Sequence, residues 1–154
     1  MKKKSVLFTY IKIIIVIGII IGAVYFGIKF LNKEYDKETF ETVKTNMLLI
    51  QAKTELIAQK VEIDEKGAKY IGTKVSEKKD DPKIKNLIDN KIIDIKSKKS
   101  NYYCIDNNNL DELGLNDVRT EDYYIVDYKK NDVIYVDGIE NSKGEIIYKL
   151  SDME

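Results

Sequence analysis

Residues 123–136 read YYIVDYKKNDVIYV, and this stretch holds the strongest local structural signal in the chain. Tyr123–Tyr128 and Val133–Val136 are runs of aromatic and β-branched residues, which are typical of β-strands. The four residues between them, Lys129–Asp132, are polar and suit the loop of a hairpin. The pattern predicts an antiparallel hairpin in the last third of the protein.

The hairpin has further strand and turn signals after it. Asp137-Gly138 predicts a second turn, and Ser142-Lys143-Gly144 predicts a third, before a last strand at Glu145–Leu150. Asp127, Asp132 and Asp137 then read as turn and edge residues that discourage pairing between sheets. These signals predict a three-stranded meander or two successive hairpins.

Shorter elements are predicted upstream of the hairpin. Tyr102–Ile105 has the composition of a strand, Asn107–Asn109 that of a turn, and Asn109 is placed to cap one helical turn at Leu110–Leu113, closed by Gly114. Asp81-Pro82 predicts the start of a short helix. Residues 64–81 read as a loop, and residues 91–100 as a strand at Ile92–Ile95 followed by a lysine-rich connector. Residues 66–154 are therefore expected to form an α+β domain.

A helical seam precedes this domain. Its members are spaced by three and four residues across positions 40–61: Phe40, Val43, Met47, Ile50, Thr54, Ile57 and Val61. This spacing predicts an amphipathic stalk helix over residues 32–65, and we take Leu49, Ala52 and Leu56 to widen its apolar face. The favoured explanation is a helix lying on its own domain, and the alternative is a coiled-coil partner.

The N-terminal part of the chain is strongly apolar. Ile13–Ile28 is an uncharged run, IIIVIGIIIGAVYFGI, and Val6–Leu31 is broken only by Lys12 and Lys29. About 20 apolar residues are enough to cross the hydrocarbon core. Residues 1–31 are therefore predicted to be a cytoplasmic basic flank and a transmembrane helix, which makes the lipid bilayer a partner.

A cleavable signal peptide is the competing interpretation of this segment. The small residues Gly22-Ala23 are followed by the bulky residues Val24, Tyr25 and Phe26, which a signal peptidase disfavours, so a retained anchor is preferred. Residues 1–34 carry six lysines against one glutamate. Lysines stay on the cytoplasmic side, so we expect a single-pass protein of the cell membrane with the amino terminus inside and the C-terminal domain extracellular.

The N-terminal residues and the overall layout resemble those of type IV pilins and type II secretion pseudopilins. Lys2–Lys4 resemble the family's basic leader, and Phe8-Thr9-Tyr10-Ile11-Lys12 is similar to a degenerate Phe-Thr-Leu-Ile-Glu motif ahead of an aliphatic run. Residues 46–53 and 124–135 are similar to the stalk and the C-terminal hairpin of Firmicute pilin-like proteins. The resemblance implies a pilin-like fold, with a transmembrane helix that continues into an amphipathic helix packed on a small antiparallel sheet.

Two positions depart from the family pattern. Leu7 stands where the family has the glycine before the cleaved bond, and Lys12 stands where it has a glutamate. A lysine there would meet the positive amino terminus of a neighbouring subunit inside the membrane, which is repulsive. Leu7, Phe8, Thr9, Ile11 and Lys12 thus form a degenerate prepilin motif, and the two departures from the family pattern predict a subunit that stays in the bilayer.

The composition excludes several kinds of chemistry. There is no histidine, so a Ser-His-Asp triad, a Cys-His pair and histidine-containing zinc sites are excluded. The single cysteine, Cys104, is expected to be a buried, inert thiol, and the single arginine, Arg119, gives little capacity for phosphate clamps. Residues 106–112 only superficially resemble a calcium loop, and the lysines of residues 53–85 alternate with acids, which argues against nucleic-acid binding.

These observations lead to one functional expectation and one alternative. The expectation is a non-enzymatic, single-pass membrane protein that resembles a pseudopilin or minor pilin and acts through helix–helix assembly with pilin-like subunits or with itself. Its assembly face is predicted on the stalk at Phe40, Val43, Met47, Ile50, Ile57 and Val61. The alternative is a membrane-anchored extracytoplasmic binding module that does not polymerise. No cofactor, metal or small-molecule substrate is predicted.

Overall fold

A computed structural model describes residues 39–153 and shows an α+β domain, as predicted. The elements in chain order are α1 (39–62), β1 (Thr73–Lys74), a 3-10 helix (Val75–Glu77), α2 (Pro82–Asp89), β2 (Tyr102–Ile105), α3 (Asn107–Glu112), β3 (Tyr124–Asp127), β4 (Asp132–Glu140), β5 (Ile146–Lys149) and a second 3-10 helix (Leu150–Asp152). The predicted membrane helix lies outside the described residues. Within residues 39–153, no helix combines the length and apolarity that a membrane crossing requires.

The five strands form one antiparallel sheet in the order β1-β2-β3-β4-β5, which is also their order in the chain. The hairpin predicted from residues 123–136 is confirmed as β3 and β4. Tyr124 pairs with Tyr135 and Asp127 pairs with Asp132, so four residues form the loop. Asn131 in this loop has a positive φ of 50°, which asparagine tolerates better than most residues.

The sheet separates two hydrophobic clusters because successive side chains on a strand point to opposite faces. The α1 side holds Tyr103, Ile105, Tyr124, Val126 and Val133 together with side chains of α1. The other side holds Cys104, Ile125, Ile134 and Val136 together with Ile84 and Leu87 of α2. Both faces of the sheet are thus buried, each under its own helix.

Two predictions made for the region before β2 are wrong. Residues 64–81 contain β1 and a 3-10 helix rather than only a loop. Ile92–Ile95 is not a strand: Ile93 turns into the α2 cluster, and its neighbour Ile92 donates its N–H to the Leu87 carbonyl at 2.8 Å. The Ile92 N–H is therefore bonded to the end of α2 and is not available for pairing with a neighbouring strand.

The helix start at Asp81-Pro82 is confirmed, and the cap of α3 is corrected. The Asp81 carboxylate accepts from the Lys83 N–H at 2.8 Å, as an N-cap residue does. In α3 the N-cap is Asp106, three residues earlier than predicted, and Asn109 completes a reciprocal capping box. Gly114 ends this helix with a φ of 75°, as predicted.

Asp137-Gly138 forms a bulge within β4 instead of the predicted turn. The strand continues to Glu140, and its pairing with β5 shifts register between Ile134 and Ile139. Gly138 has a φ of 67°, and a Cβ on this residue would lie 2.5 Å from the Ile146 side chain. Only glycine fits this conformation and this close approach, so the strand bends here without ending.

The expectation that Asp127 is an edge residue is wrong. It lies on β3, the central strand, and is 1% exposed. Its carboxylate accepts the backbone N–H groups of Asn101 at 2.9 Å and Lys129 at 3.1 Å. Asp127 therefore fastens the start of the hairpin loop and the entry to β2.

Candidate functional site

One face of α1 is buried against the sheet of the same chain. Val43, Met47 and Ile50 belong to the hydrophobic cluster, with Ile50 completely buried, and Phe40 and Ile57 pack against it. Val61, near the end of the helix, is half-buried. The face predicted for assembly is thus covered by this chain's own domain, as the first interpretation of the seam expects.

Polar side chains on this side of α1 are also satisfied, one of them within the helix and two by groups of the β3–β4 hairpin. Thr54 is buried in the seam, and its hydroxyl donates to the Ile50 carbonyl at 2.8 Å within the helix. The Gln51 side chain donates to the Asn131 carbonyl in the β3–β4 loop at 2.7 Å. Burial raises the pKa of Tyr124 on β3, and a side-chain hydrogen bond with Asn46 of α1 opposes the rise. The helix is therefore fixed along its length to the central hairpin.

The opposite face of α1 carries a second apolar stripe, and this stripe is open. Leu49 is 45% exposed, Leu56 is 55% exposed, and Ile63, just past the helix end, is 75% exposed. Ala52 is also exposed between the two leucines. The Ile63 N–H still bonds to the Gln59 carbonyl at 3.1 Å, so the stripe keeps helical geometry to its last member. We call Thr45, Leu49, Ala52, Leu56, Gln59 and Ile63 the outer stripe.

The prediction that Leu49, Ala52 and Leu56 widen the buried seam is wrong. Each of them lies two residues after a seam position (Met47, Ile50 and Thr54). Because an α-helix turns by about 100° per residue, two residues separate side chains by about 200°. The signal that could have distinguished the faces is the alternation of four and three residues through the outer stripe, which repeats the seam spacing out of phase.

Charges flank the outer stripe in an ordered way. Lys53 and Lys60 lie along one side of it, and Glu55 and Glu62 lie along the other. All four side chains are exposed, and none forms an ion pair within residues 39–153. Leu48, which is 47% exposed, takes the place of a glutamate one heptad before Glu55. Over residues 53–62 the open face therefore presents an apolar line with lysines on one side and glutamates on the other.

The loop that follows α1 is fastened to the sheet by Tyr128. Its hydroxyl donates to the Ile71 carbonyl at 2.9 Å and accepts from the Ile71 N–H at 3.1 Å. The Tyr128 ring contacts the rings of Tyr70 and Tyr103, with centroids 4.5 Å and 5.3 Å away. Burial raises the pKa of Tyr128 above its ordinary value, so this hydroxyl remains a hydrogen-bond donor even in moderately alkaline solution.

A polar depression of about 410 Å³ lies beside the end of α1. It is lined by Ile57, Lys60, Glu65, Lys66, Gly67, Ala68, Lys69, Ile71 and Glu112. Three lysines and two glutamates bring its charge close to balance, so the electrostatics of the depression favour neither an anion nor a cation.

Lys83 and Arg119 form ion pairs, whereas the lysines of the 91–100 connector pair with no carboxylate within residues 39–153. The Lys83 ammonium binds the carboxylates of Asp122 and Asp137, and these hydrogen bonds raise its pKa, so it is held as a cation. Arg119 pairs with Asp111 at 2.9 Å. Lys91, Lys96, Lys98 and Lys99 are exposed on the connector.

Two further predictions concern Cys104 and the loop of residues 106–112. Cys104 is buried as expected, and burial raises the pKa of its thiol to about 11. Residues 106–112 form the capped helix α3 and its end, and residues 39–153 contain no group of three or more acidic or cysteine side chains placed to hold a metal ion.

The degenerate prepilin motif (Leu7, Phe8, Thr9, Ile11 and Lys12) lies outside the described residues. Comparison with protein-family models, curated proteins and solved structures finds no match to this chain.

Proposed function

We propose that this chain is a non-enzymatic, single-pass envelope protein, resembling a pseudopilin or minor pilin, that acts through helix–helix assembly. The observation that carries this proposal is the outer stripe of α1. A line of exposed aliphatic residues on a helix marks a surface that another helix covers. The predicted anchor at residues 1–31 supports the proposal because it would confine such contacts to the membrane surface.

The assembly face of this proposal differs from the one expected at first. The residues of the buried seam contact the sheet, so a substitution such as Ile50→Asp would damage the fold before it affected any partner. Leu49, Leu56 and Ile63 contact solvent and can be changed without disturbing the core. They replace the seam residues as the proposed contact surface.

The test is the native size of the full chain in membranes. The protein is extracted in mild detergent and run on a native gel, and a complex larger than the monomer is expected. Leu56→Glu should shift the protein to the monomer position, because a carboxylate would have to be desolvated at the contact.

The control is Lys143→Glu, which changes an exposed residue in the β4–β5 turn and should leave the complex intact. Circular dichroism should show that both variants are folded. A wild-type protein that is monomeric at every concentration and in every mild detergent would contradict assembly.

A further inference from the structure

The outer stripe has the spacing of a coiled-coil core. Leu49, Leu56 and Ile63 recur every seven residues. Ala52 and Gln59 lie between them at the alternate core position, and Thr45 occupies the same position one turn before Leu49. The large residues occupy one core position, and small or polar residues occupy the other. A helix with this pattern can pack closely against a second helix of the same design.

The borders of the stripe select the orientation of that second helix. In a parallel pair, the residue just before a core position of one helix faces the residue just after the following core position of the other helix. Here these core positions are Leu56 and Gln59. Glu55 of one helix would then face Lys60 of the other, and the two-fold symmetry makes this pair twice. In an antiparallel pair the glutamates of the two helices would face each other, and so would the lysines, which is repulsive.

The fold leaves room for this arrangement. The outer stripe points about 200° away from the seam that holds the sheet, so the two domains would lie on the outer sides of a helix pair. We infer that the occupant of the outer stripe is a second copy of this chain, with the two α1 helices parallel, in register and joined by reciprocal Glu55–Lys60 ion pairs. This inference rests on the proposed function and names the partner of the same surface.

Disulfide formation in membranes tests the orientation. Leu49→Cys and Ile63→Cys are made separately in the full chain, and a mild oxidant is added to membranes of the expressing cells. A parallel, in-register pair brings each cysteine next to its own copy, so each variant alone should give a disulfide-linked dimer. Cys104 is buried and adds no background, and Lys143→Cys reports random collision.

The outcomes of this experiment separate the two proposals. A dimer that forms only when Leu49→Cys and Ile63→Cys are co-expressed would mean an antiparallel pair and would overturn the inference. A photo-reactive residue at position 56 that links the chain to a different protein would also overturn it, but would leave the proposed function standing. No product from any stripe position would overturn both.

Charge reversal tests the ion pairs independently of folding. Glu55→Lys alone and Lys60→Glu alone should each lower the Leu49→Cys dimer yield by about fivefold or more, because each change makes two attractive pairs repulsive. The double variant Glu55→Lys/Lys60→Glu should recover the yield, since the pairs are then exchanged rather than lost. The assigned register would be overturned if the single changes left the dimer yield unaltered, or if the double variant gave no more dimer than the single variants.

Discussion

The two faces of α1 have similar apolar spacing and opposite environments. The inner face places Met47 and Ile50 in a closed core against β3 and β4, whereas the outer face leaves Leu49 and Leu56 in solvent. Hydrophobic periodicity therefore marks both faces in the same way, and it does not show which of them the chain's own sheet covers. The inner face is covered by the chain's own sheet, and the outer face is the one that we assign to a partner.

The largest effect is expected when one residue on each face is truncated, which tests whether the two faces differ in burial. Ile50→Ala should lower the free energy of unfolding by about 2–5 kcal/mol, because it removes buried methyl groups and leaves a cavity. Leu49→Ala, one residue earlier, should change the free energy of unfolding of the monomer by less than about 0.5 kcal/mol. Urea unfolding followed by the near-UV circular dichroism of the tyrosines measures both, and equal losses would mean that the faces are not distinct.

The only thiol of the chain allows the buried sheet and the outer face to be compared by the pH dependence of stability. Burial raises the pKa of Cys104 to about 11 in the folded protein, so the folded state keeps the proton that the unfolded state loses above about pH 9. The contribution of Cys104 to the free energy of unfolding is therefore fully present below about pH 9 and is lost as the pH rises to about 11. This loss should amount to about 2 kcal/mol.

The matched control is Cys104→Val combined with Leu56→Cys, whose thiol is exposed. Urea midpoints between pH 8 and pH 11 should fall less steeply in this variant than in the wild type. Parallel curves for the two proteins would show that Cys104 is not the cause.

A smaller effect is expected where the loop after α1 is held on the sheet. Tyr128→Phe removes both hydrogen bonds to Ile71 and should cost about 1–3 kcal/mol, because the Ile71 backbone groups lose their partner. Tyr70→Phe is the matched control, since the Tyr70 hydroxyl makes no hydrogen bond within residues 39–153. Urea unfolding of both variants checks this, and a cost for Tyr70→Phe equal to that of Tyr128→Phe would contradict it.

The smallest effect is expected at the only polar member of the inner seam. Thr54 donates its hydroxyl hydrogen to the Ile50 carbonyl of its own helix, so Thr54→Val loses no contact with the sheet. The free energy of unfolding should change by less than about 1 kcal/mol. A larger loss in the same urea titration would show that the inner face depends on this hydroxyl.

The sequence was sufficient wherever the signal lay in neighbouring residues. The β3–β4 hairpin, the Asp81 cap and the Gly114 helix end were all predicted, because each depends on a few adjacent side chains. β1 was missed because its two residues become a strand only by pairing with Tyr103 and Cys104 of β2.

Other features depend on partners that are distant in the chain. Asp137-Gly138 has the composition of a turn, and only the packing of Ile146 and Tyr148 from β5 makes it a bulge. The three positions of the outer stripe that were assigned to the wrong face were visible in the sequence. Apolarity alone does not assign them to a face, because residues close in sequence can lie on opposite sides of a helix that turns by about 100° per residue.

The order of the strands has a consequence for how the chain matures. Each strand pairs with the one made just before it, so the sheet can lengthen as the polypeptide leaves the ribosome, without waiting for its last residues. Helix α1 is different: it precedes all five strands, but the β3–β4 part of its binding surface is made only after β1 and β2. During synthesis the inner face of α1 therefore stays uncovered until the central hairpin has been made.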